Sequence, residues 1–406
     1  MTLAAIHKRV EESFFRWGWL LPVVLPLTEL GGRGLYNTLA GLYGIWGLLS
    51  LWGRRQRLDR TTASLYLFVL LVFLLGIPGA VDPKEGLRIW LGFLAPSLAL
   101  LLVPAALRES PAAFARLLDS AVLFGAIALV GLYGLLLYYG FGLSGQPFDP
   151  NLQLQEDNLP FLLPFFLGWI WWRGHDIRRY WRMAAAIILV LAYIVMAEGR
   201  AALVGLIVGL VVFSKLVLGW RWWWIGGLAA AVLLVAVTVN TEPFRKTELD
   251  SNRPLDAFTA GRTALWRQAL AHPPAHAWVG VGLGNGRHVT EILGFQLNAT
   301  KTQVHHLHNF LLEAWYETGI LGVGALLALI GSVFWRLARR WNGLSFQDRQ
   351  RAGVLLAAAL AILGAALLSF SYTSRHFAYL FVCLGALNCL AGNSVEANAG
   401  TDNAVS

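Results

Sequence analysis

Apolar runs of about twenty residues recur along nearly the whole chain, separated by shorter segments that carry the arginines and lysines. At 1.5 Å per residue, a helix of that length crosses the roughly 30 Å hydrocarbon core of a bilayer. Lipid offers no hydrogen-bond partners, so spanning segments must be helices or closed barrels. A barrel would show alternating segments of about ten residues, and these runs do not alternate. With 57% hydrophobic residues, 14% charged residues and a mean hydropathy of +0.58, a soluble enzyme core is excluded. The fold class expected is an all-α polytopic membrane protein of about 12 transmembrane helices, with one large extracytoplasmic loop containing short helices.

The runs define twelve candidate spans: 14–30, 34–52, 62–80, 86–104, 114–140, 158–173, 181–197, 201–218, 222–240, 308–336, 352–371 and 375–391. Pro22 and Pro26 interrupt the first apolar run, and no small-residue cleavage site follows it, so it is expected to stay as an uncleaved span. Tryptophans gather where spans should end, at Trp17 and Trp19, Trp171 and Trp172, and Trp222 to Trp224, as interfacial anchors do. Cys383 and Cys389 lie six residues apart in the last run, which excludes a disulfide framework.

Orientation follows from the basic residues, because Lys and Arg of short loops are retained on the cytoplasmic side. One alternate set of loops carries Arg54, Arg55, Arg57 and Arg60, then Arg173, Arg178, Arg179 and Arg182, then Lys215 and Arg221. It ends with Arg336, Arg339, Arg340, Arg349 and Arg351. The other set holds Arg33, then Lys84 and Arg88, then GFGLSGQPFDPNLQLQEDN, then Arg200 and Arg375 at helix edges. Both termini are therefore expected in the cytoplasm and the long segment 241–305 outside it. This asymmetry accounts for the net charge of +9, and no nucleic-acid partner is implied. Four regions result: helices one to nine over 1–240, an outer loop with the substrate site over 241–307, helices ten to twelve over 308–391, and a disordered cytoplasmic tail over 392–406.

The least membrane-like stretch, 261–319, begins GRTALWRQAL, passes through GVGLGNG and ends HHLHNFLLEAWYETG. Arg262 opens a short amphipathic helix whose apolar positions Leu265, Trp266, Ala269 and Leu270 suit a membrane surface. A guanidinium beside free helix N–H groups suits phosphate; a solvated basic face is the plainer reading, more so for Arg267. Arg200, next to Glu198, opens an otherwise apolar span, where an arginine is costly unless it pairs, snorkels or binds an anion. Arg245, Lys246 and Arg287 read as solvated charge. GVGLGNG lacks the strand and helix of a nucleotide fingerprint, so its glycines point to a tight turn or a close approach.

His305, His306 and His308, with Asn309, fall just before or within the first turn of the tenth span. The positive end of that helix favours a neutral imidazole, which accepts a proton. An interfacial hydrogen-bonding role is the bland alternative for any one of them. Zinc would need third and fourth ligands that the sequence does not make evident. Glu313 and Glu317, deeper in the same helix, need partners and can orient the histidines or arginines.

Together these residues resemble the O-antigen ligase and polymerase superfamily, in particular lipopolysaccharide O-antigen ligases. The resemblance spans most of the chain: about twelve helices, one large late loop, EGRAALVGL opening a span, GRTALWRQAL followed by GVGLGNG, and HLHNFLLEAWYETGILG. The family's serine before the first arginine is here Gly199, which leaves Arg200 as the matching position. The resemblance implies transfer of O-antigen polysaccharide from undecaprenyl pyrophosphate to a lipid A-core sugar hydroxyl at the periplasmic face of the inner membrane. It implies that Arg200 and Arg262 hold the pyrophosphate and that His308 is the essential histidine, with His306 its rival as base. Asn309, Arg267 and Arg88 complete the candidate substrate-binding set.

The outward loops contain no DxD pair, so arginine-assisted, metal-independent transfer without a cofactor is expected, with inversion if His308 activates direct attack. The expected partners are the undecaprenyl-pyrophosphate-linked O-antigen, the lipid A-core acceptor and membrane lipids. O-antigen polymerase is the nearest alternative. Protein O-oligosaccharyltransferases resemble longer chains with extra C-terminal sequence. A twelve-span transporter is the alternative from another class, although neither an internal repeat nor a pair of interrupted helices is visible.

Overall fold

The computed structural model describes residues 3–25, 33–51, 58–108, 111–135, 137–138, 159–196, 199–221, 227–228, 231, 262–287, 306–374 and 376–392. Glu198, Arg245, Lys246, His305, Arg375, nearly all of the span expected over 222–240 and the tail from 393 lie outside these residues, as do the side chains of Arg33 and Arg287. Among the described residues all regular structure is helical. The helices are α1 (Leu3–Trp17), α2 (Leu21–Val24), α3 (Arg33–Leu51), α4 (Arg60–Leu75), α5 (Pro83–Ser97), α6 (Ala99–Arg108) and α7 (Pro111–Leu135). They continue as α8 (Leu159–Arg173), α9 (Arg178–Met196), α10 (Arg200–Leu216), α11 (Arg262–Ala271), α12 (Phe310–Arg340), α13 (Phe346–Ala366) and α14 (His376–Gly392).

Five described segments are long and apolar enough to cross a membrane: Pro83–Arg108, Ala112–Leu135, Arg178–Met196, Phe310–Gly343 and Phe346–Ala366. Arg60–Leu75 and His376–Gly392 are shorter but apolar. The count of twelve expected from the sequence is thus matched only in part by the described residues. Large apolar side chains such as Leu67, Phe68, Leu71, Ile127, Val130 and Ile188 stand exposed on the outer faces of these helices. On a protein of this composition that surface faces lipid rather than water.

The first element differs from the span expected over 14–30. Helix α1 starts at Leu3 and runs antiparallel to α3: His7 Nε2 pairs with Leu49 O at 3.1 Å, Trp46 Nε1 donates to Val10 O at 3.2 Å, and Phe14 meets the rings of Tyr43 and Trp46. The chain then turns at 18–20 and continues through α2, where Leu25 packs beside Tyr36. Hydropathy alone missed this because α1 carries charged residues on one face and buries Phe14 with the other.

Local signals set several helix starts. Asp59 caps α4, its carboxylate accepting from Thr62 N at 2.7 Å; Asp82 caps α5, which has Pro83 at its first position; Ser345 caps α13. Small residues set the closest helix pair. A Cβ on Gly205 of α10 would lie 2.7 Å from Ala361 O and 3.1 Å from Ala365 Cβ of α13, so the backbones touch as small-residue interfaces in membranes do. At the other end of this pair Gln350 Nε2 donates to Val217 O at 3.0 Å, which makes α10 and α13 antiparallel.

The basic loop ends collect at one pole of the bundle. Arg336 near the end of α12 pairs with Asp59 before α4, Arg173 at the end of α8 lies 3.3 Å from Asp119 of α7, and Arg351 of α13 sits over the Phe114 ring. The opposite pole holds the glycine-rich segment and the histidines, described below.

Helix α12 is interrupted at Gly319, which has φ 65° and ψ −168°, a conformation that glycine alone adopts freely. No interruption was expected from the sequence. A break in a membrane helix frees backbone groups that lipid cannot satisfy. Here the glycine-rich segment satisfies them. Val281 N and Gly282 N donate to Tyr316 O and Glu317 O at 2.9 and 3.0 Å, while Ile320 N and Leu321 N donate to Ala277 O and Trp278 O at 2.9 and 3.2 Å.

Gly280, at φ 72°, approaches so closely that a Cβ would lie 2.5 Å from Glu317 C and O; at Gly282, φ 99°, it would lie 2.5 Å from Ala80 Cα. The glycines of GVGLGNG therefore serve backbone docking against α12 and the 76–86 turn. Gly319→Ala is expected to lower stability by more than the ~1–3 kcal/mol of the backbone strain alone, because its Cβ would overlap the Trp278 carbonyl. Thermal melting in detergent checks this against Gly324→Ala in the same helix, where open space predicts no loss.

Candidate active site

Helix α11 is the platform. Its Leu265 and Ala269, four residues apart on one face, are buried with Leu307 and Tyr316. Trp266 Nε1 donates to Leu307 O at 2.8 Å, and Tyr316 OH donates to His272 O at 2.8 Å. The apolar face expected on the membrane surface is thus packed on the histidine segment and the first half of α12, with Leu270 left exposed.

The histidines precede α12 rather than sitting in its first turn, because Asn309 is the cap. Its side-chain oxygen accepts from Leu311 N and Leu312 N at 3.0 and 3.1 Å. That commits the oxygen of Asn309, a residue expected to bind substrate, to holding the helix start. His308 just before it has φ 52°, the one positive value at a non-glycine position among the described residues. Such a conformation costs on the order of 1–3 kcal/mol and persists where the surroundings over-determine it. Here the cap on one side and a bond on the other do so: His308 Nδ1 lies 2.9 Å from Ser369 O.

A carbonyl oxygen only accepts, so Nδ1 carries the hydrogen and the neutral ring presents Nε2 as its free proton acceptor. Burial, then the neighbouring His306 and Arg262, push the His308 pKa down to about 3 against the pull of Ser369. The His306 ring lies against it, tilted by 43°, at 4.0 Å between centroids.

Arg262 joins the same place, donating from Nη1 to Leu368 O. Both candidate residues therefore grip adjacent carbonyls of the turn that follows α13. Sequence reasoning missed this turn. Its signal was the polar run SFSYTSRH between two apolar helices.

The carboxylates of α12 lie beneath. Glu317 is buried; Oε1 accepts from Gly286 N at 2.7 Å and Oε2 from Tyr372 OH at 2.7 Å. Glu313, also buried, faces the Leu307 backbone and the Ser371 hydroxyl. Asn285 is buried too, its Oδ1 accepting from Val81 N at 3.1 Å and its Nδ2 donating to Val281 O.

Arg200 is the first residue of α10, five residues beyond Gly205. Since Gly205 is level with Ala365 of the antiparallel α13, Arg200 lies about 7.5 Å past that level, at the pole where Leu368 and Ser369 meet Arg262 and His308. Arg267 is exposed on the solvent side of α11. Arg88 is 67% exposed and pairs with Glu85 of its own helix at 3.2 Å, so the structure does not bring it to the cluster.

The segment from mid-α9 to mid-α12 holds Arg200, Arg262, His306 and His308, the glycine run and the break at Gly319. Residues 184–327 match the family model described as O-antigen ligase. That segment is therefore similar to the O-antigen ligase family. No curated protein matches the chain significantly. The family match contains every arginine and histidine of the cluster but stops short of Leu368 and Ser369, whose carbonyls take Arg262 and His308.

Proposed function

We propose that the chain is an O-antigen ligase, moving O-antigen polysaccharide from undecaprenyl pyrophosphate to a sugar hydroxyl of lipid A-core at the periplasmic face of the inner membrane. The single observation that carries this reading is the pairing at the turn after α13. An imidazole with its Nε2 lone pair available stands next to a guanidinium, on the pole opposite the basic loops. Lipid-linked glycan transfer needs a proton acceptor for the attacking hydroxyl and positive charge for the departing pyrophosphate.

In this reading His308 Nε2 takes the proton of the acceptor hydroxyl, the oxygen forms its bond to the anomeric carbon, and the bond to the pyrophosphate oxygen breaks, inverting that centre. Arg262 and Arg200 bind the pyrophosphate. At about 4 Å and an effective dielectric near 20, each contact with a unit negative charge is worth on the order of 4 kcal/mol before desolvation, and only the part that grows in the transition state raises the rate. His306, in ring contact with His308, lines the same place, and Arg267 and Arg88 lie outside it. The positive-inside distribution supports the periplasmic orientation, because the Arg-rich ends lie at the other pole.

The transporter alternative draws on the interrupted helix at Gly319, since transporters bind substrates at such breaks. Here the freed backbone groups flanking the break bond to the glycine segment, which favours a structural role for the break. The test is complementation. Cells lacking their own ligase should regain long lipopolysaccharide bands when they carry this chain. Rescue of a polymerase-deficient strain instead would replace the ligase reading with O-antigen polymerase, and vectorial movement in liposomes without a covalent product would favour transport.

A further inference from the structure

The glycine segment, the break in α12 and the turn after α13 converge on one buried side chain, Glu317, whose bonds go to neither Arg262 nor His308. Glu317 sits two residues before the break in α12. Its Oε1 holds Gly286 N–H, the last part of the glycine segment, and its Oε2 holds the hydroxyl of Tyr372. Its backbone oxygen takes Gly282 N–H at 3.0 Å.

Tyr372 lies three residues after Ser369, whose carbonyl fixes Nδ1 of His308, and four after Leu368, whose carbonyl takes Arg262. The phenol is fully buried and packs edge-on against Phe73 and near Phe93, at centroid distances of 5.3 and 6.4 Å, so its ring cannot swing without repacking α4 and α5. A rigid ring bonded at 2.7 Å to a rigid helix pins the turn between them. Gly286 leaves no room for slack on the other side: a Cβ there would lie 2.7 Å from Glu317 Oε1 and 3.0 Å from Glu313 Oε1.

We infer that Glu317, through Tyr372, is a positioning residue of the transfer site: it fixes the 368–372 turn whose two carbonyls set the tautomer of His308 and the direction of Arg262. This rests on the ligase reading for its catalytic consequence and on the geometry alone for its effect on the imidazole. Nothing in the 184–327 family segment reveals it, because Tyr372 lies beyond that segment. The groups that face His308 are His306, Arg262 and the Ser369 carbonyl, with Glu313 reaching the backbone of Leu307 next to it. Loosening the turn therefore alters the imidazole through its carbonyl partner and its burial.

The experiment uses the full chain in detergent micelles, as wild type, Tyr372→Phe and Glu317→Gln, with folding checked by gel filtration and melting. Tyr372→Phe removes one hydroxyl and keeps the packed ring, so the fold should survive. Nitrogen NMR of histidine-labelled protein, with the His308 signal assigned by its loss in His308→Ala, reads tautomer and titration without any reaction. In wild type the signal should show Nδ1 protonated and titrate near pH 3. In Tyr372→Phe it should show mixed tautomers, and its titration should depart from that of wild type as the Ser369 carbonyl no longer fixes Nδ1–H.

Transfer from a lipid-linked donor to lipid A-core should then fall about a hundredfold in kcat, as small misplacements do, with KM for the donor changed far less. Glu317→Gln, which keeps an oxygen for Gly286 N–H, should fall between the two. A folded Tyr372→Phe whose His308 titrates and tautomerises as in wild type would overturn the inference. If the NMR shifts as expected but wild type transfers nothing, the positioning stands and the ligase reading fails.

Discussion

His308→Ala is expected to lower polysaccharide transfer by about a hundredfold to ten-thousandfold, the range that a positioned general base contributes. The reason is local. The bond from Nδ1–H to Ser369 O leaves Nε2 as the basic nitrogen, and the left-handed backbone of His308 aims the ring at one place only. The measurement is the lipopolysaccharide banding of ligase-deficient cells at equal membrane expression, followed by rates with purified substrates. His306→Ala serves as comparison; equal loss at both positions would mean that the contacting pair, not His308 alone, supplies the base.

The pH dependence has a definite sign. A His308 pKa of about 3 means that the ring stays neutral through mildly acidic conditions, so wild-type transfer should persist below pH 6.5, where an ordinary histidine would already be protonated. Stability follows by linkage. Between about 3 and 6.5 the unfolded chain binds the proton and the folded chain does not, so this group's contribution is present above 6.5 and is lost as pH falls toward 3. His308→Gln should therefore melt with less sensitivity to acid than wild type over that window.

Arg262→Ala is expected to cost about 10²–10³ in kcat, the loss seen when one preorganised donor to a developing negative charge is removed. Arg262→Lys should recover little. One guanidinium donor is fixed at Leu368 O, and the planar fork lets the same group address phosphate oxygens from a set direction; an ammonium is a point charge and does not do both. Kinetics with a pyrophosphate-linked donor decide the matter. A rise in KM with kcat unchanged would mean ground-state binding only, and full activity in Arg262→Lys would remove the directional role. Arg267→Ala, on the exposed face of α11, should change transfer by only a few-fold.

Much of this molecule was legible in the chain itself. Apolar runs of bilayer length dictate helices because lipid leaves no other way to satisfy a backbone. Asp59, Asp82 and Ser345 announce helix starts because their side chains accept the first free N–H groups. Arg200, Arg262 and the histidines stood out because polar groups near apolar spans are costly unless used.

What the sequence concealed is held by contacts distant in the chain. Gly319 breaks α12, yet a glycine within an apolar run carries no local mark of a break. The break exists because residues 277–282 supply its hydrogen bonds. Helix α11 looked like a surface helix because amphipathicity is blind to what covers the apolar face, and Leu307 and Tyr316 cover it. Arg88 carried the same charge as Arg262, but Glu85 one turn away takes its guanidinium.

By itself, then, the chain determined the helical membrane architecture, the pole on which its basic loops gather and the residue types available for phosphate and proton transfer. Those depend on hydropathy and charge, which are properties of segments. Only the tertiary structure decided that Arg262 and His308 share one turn, that Nε2 is the open nitrogen, and that Glu317 and Tyr372 stand behind them. Those depend on hydrogen bonds between residues 55 to 106 positions apart, and no local pattern encodes such a distance.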